Sequence, residues 1–182
     1  ALALASACEA IQKRVPSPKH DPNWKVELAM EKEGATVWTI QVTGASTPIT
    51  CSQAFLKNVP LEAVLYSIFD TKERMRWDSG SFLGFSALQK PRPCGNALGD
   101  VIFCRMPGPP SIADRYVVQE RFLIKLPPDE HGNNGFAIVM SSPSQTVIDH
   151  LFGSGQALSG DSTTGAVQAT TVMSAYLIRE IP

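Results

Sequence analysis

Few residues in this chain suit hard chemistry. There are three histidines, His20, His131 and His150, and four cysteines, Cys8, Cys51, Cys94 and Cys104. The cysteines are scattered with no CxxC pair, which argues against a zinc site. No Asn-x-Ser/Thr acceptor occurs, and free, mostly buried thiols fit a reducing compartment. No G-x-S-x-G elbow precedes Asp149-His150, so a hydrolase triad has no support. The run GSGQALSGDSTTG has glycines and serines but no Lys-Ser/Thr ending, so it is no phosphate loop. The formal net charge is -1, which leaves no basic excess for nucleic acid. Apolar runs fall far short of a bilayer span. No catalytic residue, metal site or cofactor is therefore expected.

What is present is a globular composition. Hydrophobic residues make up 43% and charged residues 18% of 182 positions, enough for one domain with a full core. The chain starts at Ala1 without methionine and reads as a processed form or a piece of something longer. Residues Ala1–Val15 carry a helical apolar stripe (Leu2, Leu4, Cys8, Ile11), stopped by Pro16 and Pro18. Trp24–Lys32 alternates as a half-buried strand, turns at Glu33-Gly34 and is answered by Ala35–Val42, with Trp24 and Trp38 in the sheet core. Pro48–Val59 gives a third strand. Pro60–Asp70 switches to helical spacing through Leu61, Val64, Leu65, Ile68 and Phe69, and Thr71 caps a short helix, KERMRW.

Strands follow over Phe82–Leu88, Asp100–Met106, Tyr116–Leu126, Phe136–Ser142 and Ala166–Ile181. Lys90–Asn96 reads as a Pro-rich turn, and Pro143–Gly165 as a long loop with a helical turn at Thr146–Phe152. Helix, three strands, two helices and a run of strands predict an α+β fold with a mostly antiparallel sheet. Within it, Gly99–Lys125 stands out: two apolar strands joined by a Pro/Gly-rich loop, with no nucleophile–base pair beside them. Such a stretch is suited to lining a cavity for an apolar ligand.

Three pieces together resemble the START domain family, the lipid-binding domains related to the steroidogenic acute regulatory protein. They are LEAVLYSIFDTKERMRWDSG with its Arg76-Trp77-Asp78, the Pro-rich MPGPPSIADRYVVQERF, and the terminal SAYLIREIP. The resemblance implies a helix-grip architecture: a curved, mostly antiparallel sheet around a hydrophobic cavity, over a single domain spanning 1–182. The sequence departs from the family in three places. Asp114-Arg115 stands where the family has Arg-Asp. The chain stops at Pro182, before the further strand and the C-terminal lid helix, so it is expected to be incomplete at that end. The Pro143–Gly165 loop is longer and more polar than in the family.

The resemblance also implies a site. Family members place an arginine facing the cavity beyond the motif, paired with an acid on the preceding strand. Glu120 occupies the matching position here. Pleat parity puts Tyr116, Val118 and Glu120 on one face and Phe103 with Arg105 on one face of the strand before it. An Arg105–Glu120 pair inside the cavity is one reading, and both charges on the solvated outer face is the other. The loop Pro107–Ala113 matches the family's gating loop, where Ile112 either touches ligand or membrane or belongs to a Pro-fixed turn. Trp77 is expected in the core. The expected lipid-lining set is Phe103, Arg105, Ile112, Tyr116, Val118 and Glu120. The expected function is lipid binding or transfer, with a sterol or phospholipid ligand and transient contact with a membrane surface. The alternative is a scaffold subunit whose open end a protein partner covers. Either suits a cytoplasmic location or the periphery of an intracellular membrane. Catalysis is not expected.

Overall fold

The computed structural model describes residues 22–30, 34–41, 43–44, 48–153 and 165–181. The helix expected over Ala1–Val15, the linker after it and most of the Ser/Gly-rich loop lie outside the described residues. Contacts divide the chain into two compact units, within Leu2–Val59 and over Pro60–Pro182. Among the described residues no helix is long and apolar enough to cross a membrane.

The first unit is a meander of β1 (Lys25–Met30), β2 (Ala35–Ile40) and β3 (Ile49–Ala54), antiparallel in that order. Gly34 sits at φ +63°, the left-handed region that glycine enters without strain. The even alternation expected along β1 is broken. Val26 faces Trp38 while Leu28 faces Val37, a register shift that sends these two side chains to opposite faces. Val26, Leu28 and Met30 are all exposed, whereas Trp24, just before the strand, is buried.

The second unit holds α1 (Leu61–Phe69), α2 (Thr71–Trp77), α3 (Gln145–Gly153) and a sheet of β4 (Gly84–Cys94), β5 (Ala97–Met106), β6 (Arg115–Leu126), β7 (Gly135–Ser141), β8 (Val167–Gln168) and β9 (Ser174–Arg179). The path runs β4-β5-β6-β7-β9, antiparallel throughout, and short β8 pairs parallel with the start of β6. Helical spacing placed α1 correctly. Its partner α2 is capped by Asp70 rather than Thr71: Lys72 N and Glu73 N donate to Asp70 Oδ1 at 2.9 and 3.0 Å. A carboxylate reaching the second and third amides of the helix satisfies donors that have no intrahelical acceptor.

Other boundaries shift for similar local reasons. The expected turn at Lys90–Asn96 is the second half of β4, which continues through Pro91 and Pro93 as the outermost strand, with register shifts near Gln89. Prolines are tolerated there because an outer strand leaves half its amides unpaired. The expected helical turn after β7 grows into α3, and the expected final strand splits into β8 and β9 around an exposed Val172. Trp77, expected in the core, is exposed. Its Nε1 donates to Ser67 O and its ring lies 4.3 Å from the Arg74 guanidinium carbon.

Both faces of the sheet are covered. On one, Leu61 and Leu65 of α1 pack against Ile138 and Met140, with Ile68, Phe69, Leu123, Tyr176 and Ile178 around them. On the other, Ile148 and Leu151 of α3 pack against Val101, Phe103 and Val118, with Leu88 and Tyr116 beside them. That double cover explains the nearly continuous burial along β5.

Candidate lipid-binding site

The α1 face of the sheet carries two hollows. The first, of about 270 Å³, lies between α1 and the sheet and is lined by Leu65, Phe69, Ala87, Pro91 and Leu123 among others. The second, of about 180 Å³, is lined chiefly by Ile68, Phe85, Val117, Ile138 and Met140, with Cys104, Gln119, Thr171, Ser174 and Tyr176 as its polar edge. Arg121 lines both.

Arg121 is the centre of this face. It stands opposite Asp100 in the β5–β6 register, and its Nε and Nη2 donate to the two carboxylate oxygens at 2.9 and 2.5 Å. Both side chains are nearly sealed, at 2% and 1% exposure, so the pair is a fork matched to a fork with its charges compensated. The guanidinium carbon lies 4.4 Å from the Phe69 ring centre and 5.9 Å from that of Phe85. Its third nitrogen, Nη1, has no protein acceptor among the described residues. Nη1 is not shut off from solvent, as the partnerless Trp24 Nε1 and Arg74 Nε are among the described residues. The result is an uncommitted donor on a buried cation, open to apolar hollows.

Arg74 supplies a second polar wall. Its Nη2 sits 2.6 Å from Asp78 Oδ2, its Nη1 donates to Tyr176 Oη at 3.3 Å, and Trp77 and Phe82 flank it. Nearby, Gln119 Nε2 donates to Thr171 Oγ1 at 2.8 Å, tying β6 to the segment before β9. Burial pushes the Cys104 thiol up to about 12, partly opposed by Arg121 and Arg74. At pH 8, iodoacetamide is therefore expected to alkylate exposed Cys94 and spare Cys104, as read by peptide mapping. Rapid alkylation of Cys104 in folded protein would show that this hollow opens widely.

None of the six residues expected from the sequence lines either hollow. Phe103, Tyr116 and Val118 are brought together, but on the α3 face, where Phe103 and Tyr116 stack at 5.9 Å between ring centres. Glu120 shares that face opposite Val101, four residues along from Tyr116, the partner of Arg105. That offset separates Arg105 from Glu120 by about 13 Å along the strands, so the Arg105–Glu120 pair does not form. Arg105 instead donates from Nε and Nη2 to Asp114 Oδ2 at 3.1 and 2.8 Å. Gly108 N donates to the other oxygen, Oδ1, at 3.1 Å. Asp114 thus latches the loop that holds exposed Ile112, and the Arg105 hydrogen bonds with the Gly108 amide keep its carboxyl below the usual carboxylate range. A Cβ on Gly108 would run into the backbone oxygens of Ile112 and Ala113, so only glycine allows this close approach. The reversed Asp114-Arg115 order has a local explanation: Asp114 turns back to Arg105, while Arg115 Nη1 donates to Ala113 O.

The charged pair that borders the hollows is Asp100 with Arg121: Arg121 lies one residue from Glu120, whereas Asp100 lies five from Arg105. Its signal was parity: Asp100 alternates with Ile102 and Cys104, and Arg121 with Val117 and Gln119. Among the described residues no group of three or more His, Cys, Asp or Glu is placed to hold a metal ion.

No family model and no curated protein sequence matches the chain. Solved structures do. Human STARD10 aligns over 93% of this chain and 59% of its own, with a TM-score of 0.61 at 16% identity. Human StAR-related lipid transfer protein 5 aligns over 100% of this chain and 83% of its own, at TM-score 0.61 and 12% identity. The chain has the START fold. A STAR-related lipid transfer protein from Xanthomonas axonopodis, at TM-score 0.55 and 13% identity over 88% of this chain, extends the likeness to a bacterial structure. The α+β order and the curved, mostly antiparallel sheet of the START fold match the architecture described above. The chain spans less than two thirds of the STARD10 chain, at 59%.

Proposed function

We propose that this chain is a lipid-binding module that holds an apolar ligand, of sterol or phospholipid type, on the α1 face of its larger sheet. In this reading residues 1–182 act as one domain, and exchange takes place during transient contact with a membrane surface. The observation that carries the proposal is Arg121. A buried, charge-compensated guanidinium keeps its Nη1 donors uncommitted between two mostly apolar hollows. Apolar walls favour a ligand by roughly 25 cal/mol per Å² buried, before the cost of association. A few polar groups, Arg121 foremost, then set its orientation. The START fold supports the same reading, because the solved structures that share it are named for lipid transfer. Native mass spectrometry after mild extraction is the test. A co-purifying lipid, or one retained after incubation with mixed liposomes, is the expected result. Protein that stays lipid-free in both arms would favour a scaffold role instead.

A further inference from the structure

The position of Arg121 between the hollows constrains ligand shape. Were the polar anchor at the blind end of one pocket, it would select a molecule whose polar group is terminal. Here the guanidinium borders both hollows, with Phe69 of the first hollow and Phe85 of the second each within 6 Å of its carbon. The surroundings on either side are mostly apolar: Leu65 and Leu123 in one direction, Val117 and Ile138 in the other, with the polar groups of Gln119, Thr171 and Ser174 at the edge of the second hollow. Because Asp100 already compensates the charge through two hydrogen bonds, what Arg121 offers at Nη1 is hydrogen-bond donors rather than a net positive site. A neutral oxygen meets those donors without bringing a charge into a nearly sealed place, which would be costly.

We infer that the ligand is an amphiphile whose anchoring oxygen is neutral and internal, a hydroxyl or ester oxygen carried between two apolar arms, one arm in each hollow. The inference rests on the lipid-binding reading above. It differs from that reading by excluding molecules that present their only polar group at one end.

Chain-matched alcohols separate the two shapes. A long-chain secondary alcohol with a central hydroxyl and the primary alcohol of equal carbon number have the same composition and differ in where the oxygen sits. Each is incubated with the full chain, and retention is read by native mass spectrometry across a concentration series. The secondary alcohol is expected to bind about tenfold or more tightly, because only it fills both hollows while giving its oxygen to Arg121. Two filled variants supply the second arm. Ala87→Trp occupies the first hollow and Ser174→Trp the second, both from exposed positions where folding tolerates bulk. Each alone is expected to weaken the secondary alcohol at least fivefold, with circular dichroism confirming the fold. Equal or tighter binding of the primary alcohol overturns the inference while leaving lipid binding intact. So does a loss confined to one filled variant. If neither alcohol binds but a membrane lipid is retained, the internal neutral anchor is wrong; if nothing is retained, the lipid-binding reading falls with it.

Discussion

Asp100→Ala is expected to cost about 3–5 kcal/mol of folding stability, the penalty for stranding a buried charge whose partner has been removed. Arg121 is 2% exposed and pairs with no other carboxylate among the described residues, so relaxation offers it little relief. For a chain of this size the loss corresponds to a fall in Tm of about 6–20 °C. The double variant Asp100→Leu/Arg121→Met behaves differently. Removing both charges and filling the space with apolar side chains is expected to leave stability unchanged or raise it by about 1–4 kcal/mol. It also removes the free Nη1 donor, so lipid retention is expected to fall about tenfold. A double variant as unstable as Asp100→Ala would show that the pair is required for the fold itself. A double variant that is stable and retains lipid as before would show that Arg121 is no anchor. Thermal unfolding and native mass spectrometry on the same samples decide between these.

Phe103→Ala is expected to destabilise by about 3–5 kcal/mol and to leave lipid retention unchanged. Phe103 is 3% exposed and is packed among Val101, Val118, Ile148 and Leu151, with Tyr116 stacked against it. Truncating it leaves a cavity under α3 that a helix of two and a half turns cannot fully close. Denaturant unfolding reads this as a lower midpoint at constant slope. The opposite pattern, a stable variant that has lost its lipid, would move the binding site to the α3 face and restore the lining set read from the sequence.

Most strands and the helix α1 were legible because they rest on periodicity. Leu61, Val64, Leu65, Ile68 and Phe69 cannot form one apolar face except as a helix, and α1 spans them. The site was less legible, for a reason special to strands. Period-2 alternation says which residues share a face, as Tyr116, Val118 and Glu120 do, but not which face holds the ligand. In most sheets polarity settles the matter. Here both faces of β5 and β6 are covered, one by α1 and the other by α3, so Val101 and Phe103 look as apolar as Ile102 and Cys104. The charged residues then carry the choice: the sequence reading takes Glu120, and the proposed site takes its neighbour Arg121. Helix α3 was the missing clue. It lies in a stretch rich in serine and threonine, where only Val147, Ile148, Leu151 and Phe152 betray a helical face.

The continuation of β4 through Pro91 and Pro93 has a bearing on colloidal behaviour. The outermost strand of a sheet is ordinarily a template on which a stranger's backbone can condense. Prolines have no N–H to offer, and the two here stand on alternate sides of Arg92 along the stretch that borders the first hollow. An oily opening at such an edge would otherwise invite fibril growth. With its ladder interrupted, this border is poorly suited to recruiting another protein strand.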